Sequence, residues 1–333
     1  MKKFLSIPKG RHLLSLKDFQ PPEICELLRV GHEIKLKHSN RFDAADVTNL
    51  QAYHKPLSGE SLAMIFQKRS TRTRVSCETG FNMLGGHALF LGSDDIQLGV
   101  NESILDSARV LSRFNSVILA RVFGHEDVMQ IANDSSVPVI NALSDKYHPL
   151  QILADLMTLQ EHMGKDLSGL KVAWVGDGNN ILHSLMVSLP KLGIDLSIAT
   201  PNGYEPDDDV MQIAKKDAEE HGTFLEHTTK PLEAVANSDV VVTDTWVSMG
   251  QEDEAAKRLK DFEGYQVTKK MMKNANSSWR FLHCLPRKPY EVDDDVFYDS
   301  NRSLVWDEAE NRMWTVMAVF MAQLRGTENI LSK

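Results

Sequence analysis

The feature that most constrains the fold is an alternation of strand-length apolar segments with helical segments, starting at Ser61. The first half of the chain holds the strand candidates Ser61–Phe66, 87–91, 116–122 and 137–143. The segments with helical periodicity lie near residues 71–84, 102–114 and 126–133. Strands that alternate with helices form βαβ units, so the pattern predicts a parallel sheet covered by helices.

A second series follows a long predicted helix, Pro149–Met163. Its strand candidates are Lys171–Val175, Asp195–Ala199, 223–226, 239–243 and 280–283. A final helix at about 308–324 is apolar on much of its circumference and should be buried. With 333 residues the chain is long enough for two cores. We therefore predict an α/β protein of two doubly wound parallel-sheet domains joined by long helices, 1–150 and 151–307, with 308–333 packing back on the first.

Charge and cysteine content narrow the function classes. The formal charge of −9 argues against a nucleic-acid or membrane-surface partner, and no apolar run approaches membrane-spanning length. Cys25, Cys77 and Cys284 are odd in number and widely spaced, which indicates a reducing compartment without a disulfide framework or a zinc site. The basic N-terminus lacks a long amphipathic presequence, so we expect a cytoplasmic protein, or a mitochondrial matrix protein whose presequence is absent or removed.

The most informative segment is the anion loop, residues 68–74 with the sequence Lys-Arg-Ser-Thr-Arg-Thr-Arg. It lies where a strand turns into a helix, and Ser70 is a plausible N-cap. Basic residues are mildly unfavourable at a helix N-terminus because that end already carries partial positive charge. A solvated basic loop is the simpler interpretation. A bound anion, held by backbone N–H groups, hydroxyls and Arg72, explains the placement better.

Polar side chains repeatedly follow the predicted strands. Ligands of doubly wound proteins bind at the carboxyl ends of the strands. The residues at these positions are Arg121, His148, Gln151, Asp177, Asn180, Asp244 and Cys284. We therefore predict an active site in the cleft between the two domains.

The anion loop resembles the carbamoyl-phosphate loop of the aspartate and ornithine carbamoyltransferases, and the resemblance extends over nearly the whole chain. Alone, Arg121 could be an exposed strand end and His148 part of an ordinary helix start before Pro149. The resemblance implies instead that His148 and Gln151 grip the carbamoyl group. The implied carbamoyl-phosphate ligands are Ser70, Thr71, Arg72, Thr73, Gln97, Arg121, His148, Gln151, Cys284, Leu285 and Arg312.

Segment 244–250, Asp-Thr-Trp-Val-Ser-Met-Gly, resembles the loop that closes over ornithine in the ornithine branch of that family. We expect it to expose its Trp and Met. Aspartate enzymes need cations for a second carboxylate, whereas Asp244 offers the opposite charge, suited to an amine. The resemblance implies that the ornithine ligands are Asn180, Asp244, Ser248 and Met249.

Residues 283–286, His-Cys-Leu-Pro, at first suggest a Cys–His nucleophile. Neighbours on a strand point to opposite faces, so the two side chains cannot form a dyad by themselves. The same four residues resemble a motif of the ornithine enzymes, where aspartate enzymes carry Pro instead of Cys. It implies Cys284 beside the reacting amine, the Leu285 carbonyl on the carbamoyl nitrogen and a cis Leu285–Pro286 bond.

A glycine turn, residues 176–180 (Gly-Asp-Gly-Asn-Asn), invites a dinucleotide-binding interpretation. The third glycine is missing, and the nearest acid, Asp195, opens the next strand instead of closing it. We therefore interpret the segment as a tight strand-to-helix turn that presents Asn180.

The resemblance implies transfer of the carbamoyl group of carbamoyl phosphate to the δ-amine of L-ornithine, giving L-citrulline in arginine biosynthesis or the urea cycle. It implies no cofactor and no metal, with Cys284, Arg72, Arg121 and His148 as catalytic residues. It also implies a homotrimer in which Gln97 enters a neighbouring subunit's site. One departure is Asn101, where many bacterial relatives have a lysine. A carbamoyltransferase for another amine such as putrescine, a nicotinamide dehydrogenase and a non-catalytic anion-binding protein are the alternatives.

Overall fold

The computed structural model describes residues 6–39, 55–93, 102–248 and 250–328. The chain folds into two compact units. The first unit comprises Met1–Met157 and Glu310–Lys333, and the second comprises Thr158–Ala309. The limits predicted for the two domains, 1–150 with 308–333 and 151–307, differ from the limits of these compact units, and the domain division stays a prediction.

The first unit is built on a four-stranded parallel sheet with the strand order β2-β1-β3-β4. Two of its helices, α5 and α11, continue into the chain segments of the second unit. The elements are α1 (Pro21–Ser39), β1 (Ser61–Phe66), α2 (Thr71–Met83), β2 (His87–Gly92), α3 (Ile104–Phe114), β3 (Val117–Arg121), α4 (His125–Asp134), β4 (Val139–Leu143), α5 (Pro149–Met163) and α11 (Val305–Arg325), with a 3-10 helix at Leu16–Asp18.

Burial explains why the central strands of this sheet read as continuous apolar runs. In β1 every residue from Leu62 to Phe66 is buried, and all of β3 is buried, as expected for parallel strands covered on both faces. Strand β2, at the edge, is partly exposed. The chain crosses from β2 on one side of β1 to β3 on the other, so the strand order reverses between β1 and β3.

The second unit is built on a five-stranded parallel sheet with the order β7-β6-β5-β8-β9. The order reverses between β5 and β8. The elements are β5 (Lys171–Val175), α6 (Asn180–Met186), β6 (Asp195–Ala199), α7 (Asp208–His221), β7 (Leu225–Thr228), α8 (Pro231–Val235), β8 (Val240–Val242), α9 (Ala255–Asp261), β9 (Arg280–Leu282) and α10 (Asp294–Phe297), with 3-10 helices at Pro190–Leu192, Glu252–Glu254 and Met271–Asn274.

An aromatic cluster forms much of the core of this unit. Trp246, Phe262, Tyr265, Trp279 and Phe281 are buried together with the valines of the central strands. Large rings bury much apolar area per residue, so this cluster fixes the segments that follow β8.

The predicted fold class, two parallel-sheet α/β domains, is confirmed, and α5 has the predicted limits. Strand 223–226 was misplaced by two residues, because the Thr223 N–H closes the end of α7 by donating to the Ala218 carbonyl. The last strand ends at Leu282, since the His283 N–H donates to the Glu308 carboxylate at 2.9 Å. Among the described residues, no helix is both long and apolar enough to cross a membrane.

Candidate active site

The anion loop joins β1 to α2 at the point where the first sheet reverses its strand order. Ser70 caps α2, as predicted, because its Oγ accepts the Thr73 N–H at 3.3 Å. The Ser70 hydroxyl also donates to Thr73 Oγ1 at 3.0 Å. The first turn of α2 contains no acidic residue, and Thr71 and Arg74 are exposed there. The positive end of this helix therefore carries additional cations, and its first turn holds no acidic residue.

Arg312 reaches the loop from α11 and is buried. Its guanidinium donates to Thr73 Oγ1 at 3.3 Å and to Gln151 Oε1. The Gln151 Nε2 donates in turn to Asp155 Oδ1 at 2.8 Å. This chain of hydrogen bonds ties α2, α11 and α5 together, so three elements distant in sequence fix the positions of these side chains relative to the anion loop.

His148, the residue before α5, is only 4% exposed. Burial lowers the pKa of its imidazole well below the ordinary value, and the positive charges of Arg312, Arg121 and Arg72 lower this pKa further. The ring is therefore neutral at pH 7, with one nitrogen able to donate a hydrogen bond and the other able to accept one.

The structure thus brings together predicted ligands from four separate segments of the first unit. We call this group, Arg72, Arg121, His148, Gln151 and Arg312, the cationic cluster.

Lys68 belongs to the same region, although the sequence analysis gave it no role. Its Nζ lies 4.9 Å from the centroid of the Phe123 ring. Burial and the nearby Arg121 lower the pKa of the Lys68 ammonium, while Asp145 opposes this shift. A lysine two residues after a central strand, at the reversal of the strand order, was the available signal.

In the second unit, Asp244 follows β8 and Cys284 follows the neighbouring β9. The Cys284 thiol donates to Asp244 Oδ1 at 2.9 Å. The Thr245 hydroxyl donates to the same oxygen at 3.2 Å, and Asn179 Nδ2 donates to Asp244 Oδ2 at 3.2 Å. The aspartate is buried and held by three donors, next to the thiol that the sequence analysis placed beside the amine.

Asn179 is the residue that the sequence analysis missed here. Its Oδ1 caps α6 by accepting the N–H groups of Ile181 and Leu182. The predicted ligand Asn180 is the first residue of α6 and is half-buried. An asparagine just ahead of a helix is a common N-cap, which was the available signal.

Asp177, after β5, completes the acidic region. Arg258 Nη1 donates to Asp177 Oδ2 at 3.0 Å. Burial nevertheless raises the pKa of Asp177 to about 6, with Arg258 opposing the shift and Asp244 adding to it. Asp177, Asn179, Asp244 and Cys284 form what we call the acidic cluster.

The same arginine holds the predicted ornithine loop. Arg258 Nη1 donates to the Trp246 carbonyl at 2.9 Å. The Trp246 ring stacks on Phe262 with centroids 5.2 Å apart, so the expectation of an exposed tryptophan is wrong. Ser248 is half-buried, and its N–H donates to Gln251 Oε1 at 3.1 Å. A buried aromatic anchor therefore holds the start of the loop.

The His283 ring is occupied by groups other than Cys284. Its Nδ1 accepts the Leu285 N–H at 2.9 Å, so the proton lies on Nε2, which contacts Glu291 Oε2 at 3.1 Å. This agrees with the rejection of a Cys–His dyad. The Leu285–Pro286 bond is cis, as the family resemblance implied.

The chain itself fills the glycine turn. The Gly178 N–H donates to the Tyr204 carbonyl at 2.9 Å, and a Cβ at Gly178 would lie 2.4 Å from the Glu205 backbone. A dinucleotide-binding turn uses this close approach for a pyrophosphate. The turn therefore serves chain packing, in agreement with the sequence analysis. Gln97, Asn101 and Met249 lie outside the described residues.

Comparison with known proteins gives consistent matches over both units. A family model described as "Aspartate/ornithine carbamoyltransferase, carbamoyl-P binding domain" matches residues 11–161. A second, "Aspartate/ornithine carbamoyltransferase, Asp/Orn binding domain", matches residues 168–323.

Individual relatives match over nearly their whole length. The "Ornithine transcarbamylase, mitochondrial" of Gallus gallus is 54% identical over 95% of this chain and 86% of its own. The "Ornithine carbamoyltransferase, mitochondrial" of Schizosaccharomyces pombe is 50% identical over 96% of each. The solved ornithine carbamoyltransferase of Pyrococcus furiosus superimposes with a TM-score of 0.89 at 47% identity, covering 96% of this chain and 98% of that one.

Proposed function

The chain belongs to the aspartate/ornithine carbamoyltransferase family, and from this premise we propose that it transfers the carbamoyl group of carbamoyl phosphate to the δ-amine of L-ornithine. The products are L-citrulline and phosphate. The observation that carries the proposal is the buried, neutral His148 near three arginines, one of which, Arg72, lies in the first turn of the helix after the anion loop.

The cationic cluster suits a phosphorylated carbonyl compound. Arg72, Arg121 and Arg312 supply fixed positive charge for the phosphate, and the capped end of α2 adds backbone N–H groups. A neutral His148 can donate one hydrogen bond to the carbamoyl oxygen, where negative charge develops during attack. Donors fixed before the reaction stabilise that charge without further reorganisation.

The acidic cluster suits an amine. The δ-ammonium of a free amino acid has a pKa near ~10, so neutralising it at pH 7 costs about 4 kcal/mol unless the site helps. Asp244 and Cys284, 2.9 Å apart, offer acceptors that orient this nitrogen. Orienting both reactants beside fixed charges can offset more than that cost.

The reaction itself is balanced without a change of oxidation state. The neutral δ-nitrogen attacks the carbonyl carbon, a tetrahedral intermediate forms, and the carbon–oxygen bond to phosphate breaks. The amine proton leaves with the departing phosphate, or it passes to the Cys284 sulfur while the thiol proton moves to Asp244 Oδ1. Ser70, Thr71, Thr73, Gln97 and Leu285 complete the proposed donor ligands, and Asn180, Ser248 and Met249 complete the proposed ornithine ligands.

For assembly we propose a homotrimer in which Gln97 acts in a neighbouring subunit's site. Each site would then take Cys284 from its own subunit and Gln97 from a neighbouring one. Gln97→Glu and Cys284→Ala proteins are each expected to be inactive, but a site made of the intact Cys284 of one variant and the intact Gln97 of the other is complete. Randomly mixed rings of three should restore about a quarter of all sites after joint unfolding and refolding. A mixture as inactive as its parents, with subunit exchange verified by mass, contradicts the sharing.

For the compartment we propose the mitochondrial matrix or the cytoplasm, both of which are reducing. The names of the Gallus gallus and Schizosaccharomyces pombe relatives support the former.

The purified protein tests the activity directly. With carbamoyl phosphate and L-ornithine we expect citrulline and phosphate in equal amounts, and much slower reaction with putrescine or L-aspartate. Equal rates with putrescine would move the assignment to another amine, and no carbamoylated product with any acceptor would refute a transferase.

A further inference from the structure

Asp155 is a buried carboxylate to which the proposed reaction gives no role. It lies on α5, four residues after Gln151, so the two side chains share one face of the helix. The carboxylate is 3% exposed, and its Oδ1 accepts from Gln151 Nε2 at 2.8 Å. A buried charge is costly unless it is hydrogen-bonded, and Gln151, a proposed ligand of carbamoyl phosphate, supplies one such hydrogen bond.

The two ends of the Gln151 amide face opposite chemistry. Its nitrogen faces Asp155, which as a carboxylate only accepts hydrogen bonds. Its oxygen faces the Arg312 guanidinium, which only donates. Reversing the amide would set donor against donor at Arg312 and acceptor against acceptor at Asp155. The pair therefore fixes which atom Gln151 offers to a ligand.

A carbonyl oxygen has two lone pairs, so Gln151 Oε1 can accept from Arg312 and from a bound ligand together. A carbamoyl –NH2 can donate to that oxygen, whereas a methyl group of similar size cannot. Sites built to hydrogen-bond an N–H discriminate strongly against analogues that lack it, because a buried polar atom is then left without its partner.

We propose that Asp155 is a positioning residue that fixes Gln151 with its oxygen towards the donor substrate and so makes the site select a carbamoyl over an acetyl group. This inference rests on the proposed function, since it assumes that carbamoyl phosphate binds at the cationic cluster.

The test compares two stable analogues of the donor by calorimetric titration, phosphonoacetamide with –NH2 and acetonylphosphonate with –CH3. We expect the wild-type protein to bind the amide more tightly. Asp155→Leu removes the acceptor with little change of shape and should reduce the ratio of the two dissociation constants by about tenfold. Asp155→Asn keeps an acceptor oxygen and should retain most of the ratio.

Glu26→Gln is the matched control. Glu26 is also 3% exposed and lies in the first unit, where it pairs with Arg29 on α1. Its neutralisation should leave the ratio unchanged. A purely structural role of Asp155 would weaken both analogues equally, and an unchanged ratio in folded Asp155→Leu overturns the proposal.

A second pair of variants decides the matter if Asp155→Leu does not fold. Gln151→Glu sets two carboxylates against each other and should lose the preference for the amide. Adding Asp155→Asn restores a donor opposite the new carboxylate, so the double variant should regain that preference. Failure to regain it in a folded protein contradicts the proposal.

The outcomes also separate this inference from the proposed function. Wild-type protein that binds neither analogue and makes no citrulline refutes the function itself. Wild-type protein that makes citrulline, while Asp155→Leu keeps the full ratio, refutes only the role of Asp155.

Discussion

Both clusters include residues at the reversal of strand order in their own sheet, but the two clusters carry opposite charge. In the first sheet, Arg72 lies on the helix after β1 and Arg121 ends β3, the two strands between which the order reverses. In the second sheet, Asp177 follows β5 and Asp244 follows β8, where the order also reverses. Three arginines surround His148 in the first, whereas Asp177 and Asp244 lie close together in the second. The fold thus supplies the place, and the side chains supply the chemistry.

The clusters also differ in how they are held. Hydrogen bonds among α2, α5 and α11 fix the cationic cluster. One arginine and an aromatic stack fix the loop beside the acidic cluster, with Arg258 bonded to both Asp177 and the Trp246 carbonyl. We infer that the geometry of the cationic cluster depends on packing between three helices, whereas the geometry of the acidic cluster depends on contacts among the segments that follow its strands and on Arg258.

The largest effect is expected for a substitution in the cationic cluster. Arg72→Ala removes the proposed charge-assisted phosphate contact and should lower kcat/KM for carbamoyl phosphate by at least about tenfold to a hundredfold. Arg74→Ala, two residues later on the same helix, is the control, because Arg74 is exposed and pairs with Glu78. Steady-state kinetics that show near-normal use of carbamoyl phosphate by Arg72→Ala would refute the placement of the anion loop.

The next prediction concerns the effect of the buried Asp177 carboxylate, in the acidic cluster, on the free energy of unfolding. The folded-state pKa of Asp177, about 6, exceeds the ordinary value of 3.8, so the folded protein binds this proton more tightly than the unfolded chain does. The contribution of Asp177 therefore lowers the free energy of unfolding as pH rises between these values, by at most about 3 kcal/mol. Asp177→Asn should remove this contribution.

Denaturant titrations at pH 4.5 and pH 7.5 measure this contribution of Asp177 as the difference in free energy of unfolding between wild type and Asp177→Asn. Relative to wild type, Asp177→Asn should gain stability as the pH rises, whereas Asp208→Asn, at the exposed start of α7, should not. A constant difference between Asp177→Asn and wild type would show that Asp177 ionises without penalty.

The smallest expected effect sharpens the assignment of the thiol. Cys284→Ser keeps a donor to Asp244 but replaces a thiol, which ordinarily titrates near ~8.5, by a hydroxyl that does not ionise in this range. We expect kcat/KM for ornithine to fall by about tenfold and the pH–rate profile to shift. Cys25→Ser on α1 serves as the control. A change confined to carbamoyl-phosphate affinity would show that Cys284 does not serve the amine.

Sequence periodicity located much of the framework because a parallel sheet places ligand-binding residues at strand ends. Arg121, His148, Asp244 and Cys284 were predicted as site residues in this way, and the Ser70 cap followed from local helix chemistry. The family resemblance added Arg312, which lies 239 residues from its partner Thr73.

The supporting residues could not be found in this way, because their roles depend on packing between distant elements. Arg258 bridges Asp177 and Trp246 only because α9 packs near both, and no local pattern marks it. From sequence, Asp155 is one of several polar positions on the mostly apolar α5. The burial of Trp246 was missed for the same reason, since its partner Phe262 lies sixteen residues further on.

The most direct test of this charge division is a calorimetric titration of phosphonoacetamide into three proteins without ornithine: wild type, Arg72→Ala and Asp244→Asn. The account predicts that Arg72→Ala weakens binding by at least about tenfold, because a charged phosphonate contact is lost. Asp244→Asn should stay within about twofold of wild type, because its carboxylate serves the amine. Equal loss in both variants, or wild-type affinity in Arg72→Ala, would contradict the assignment of donor and acceptor to separate clusters.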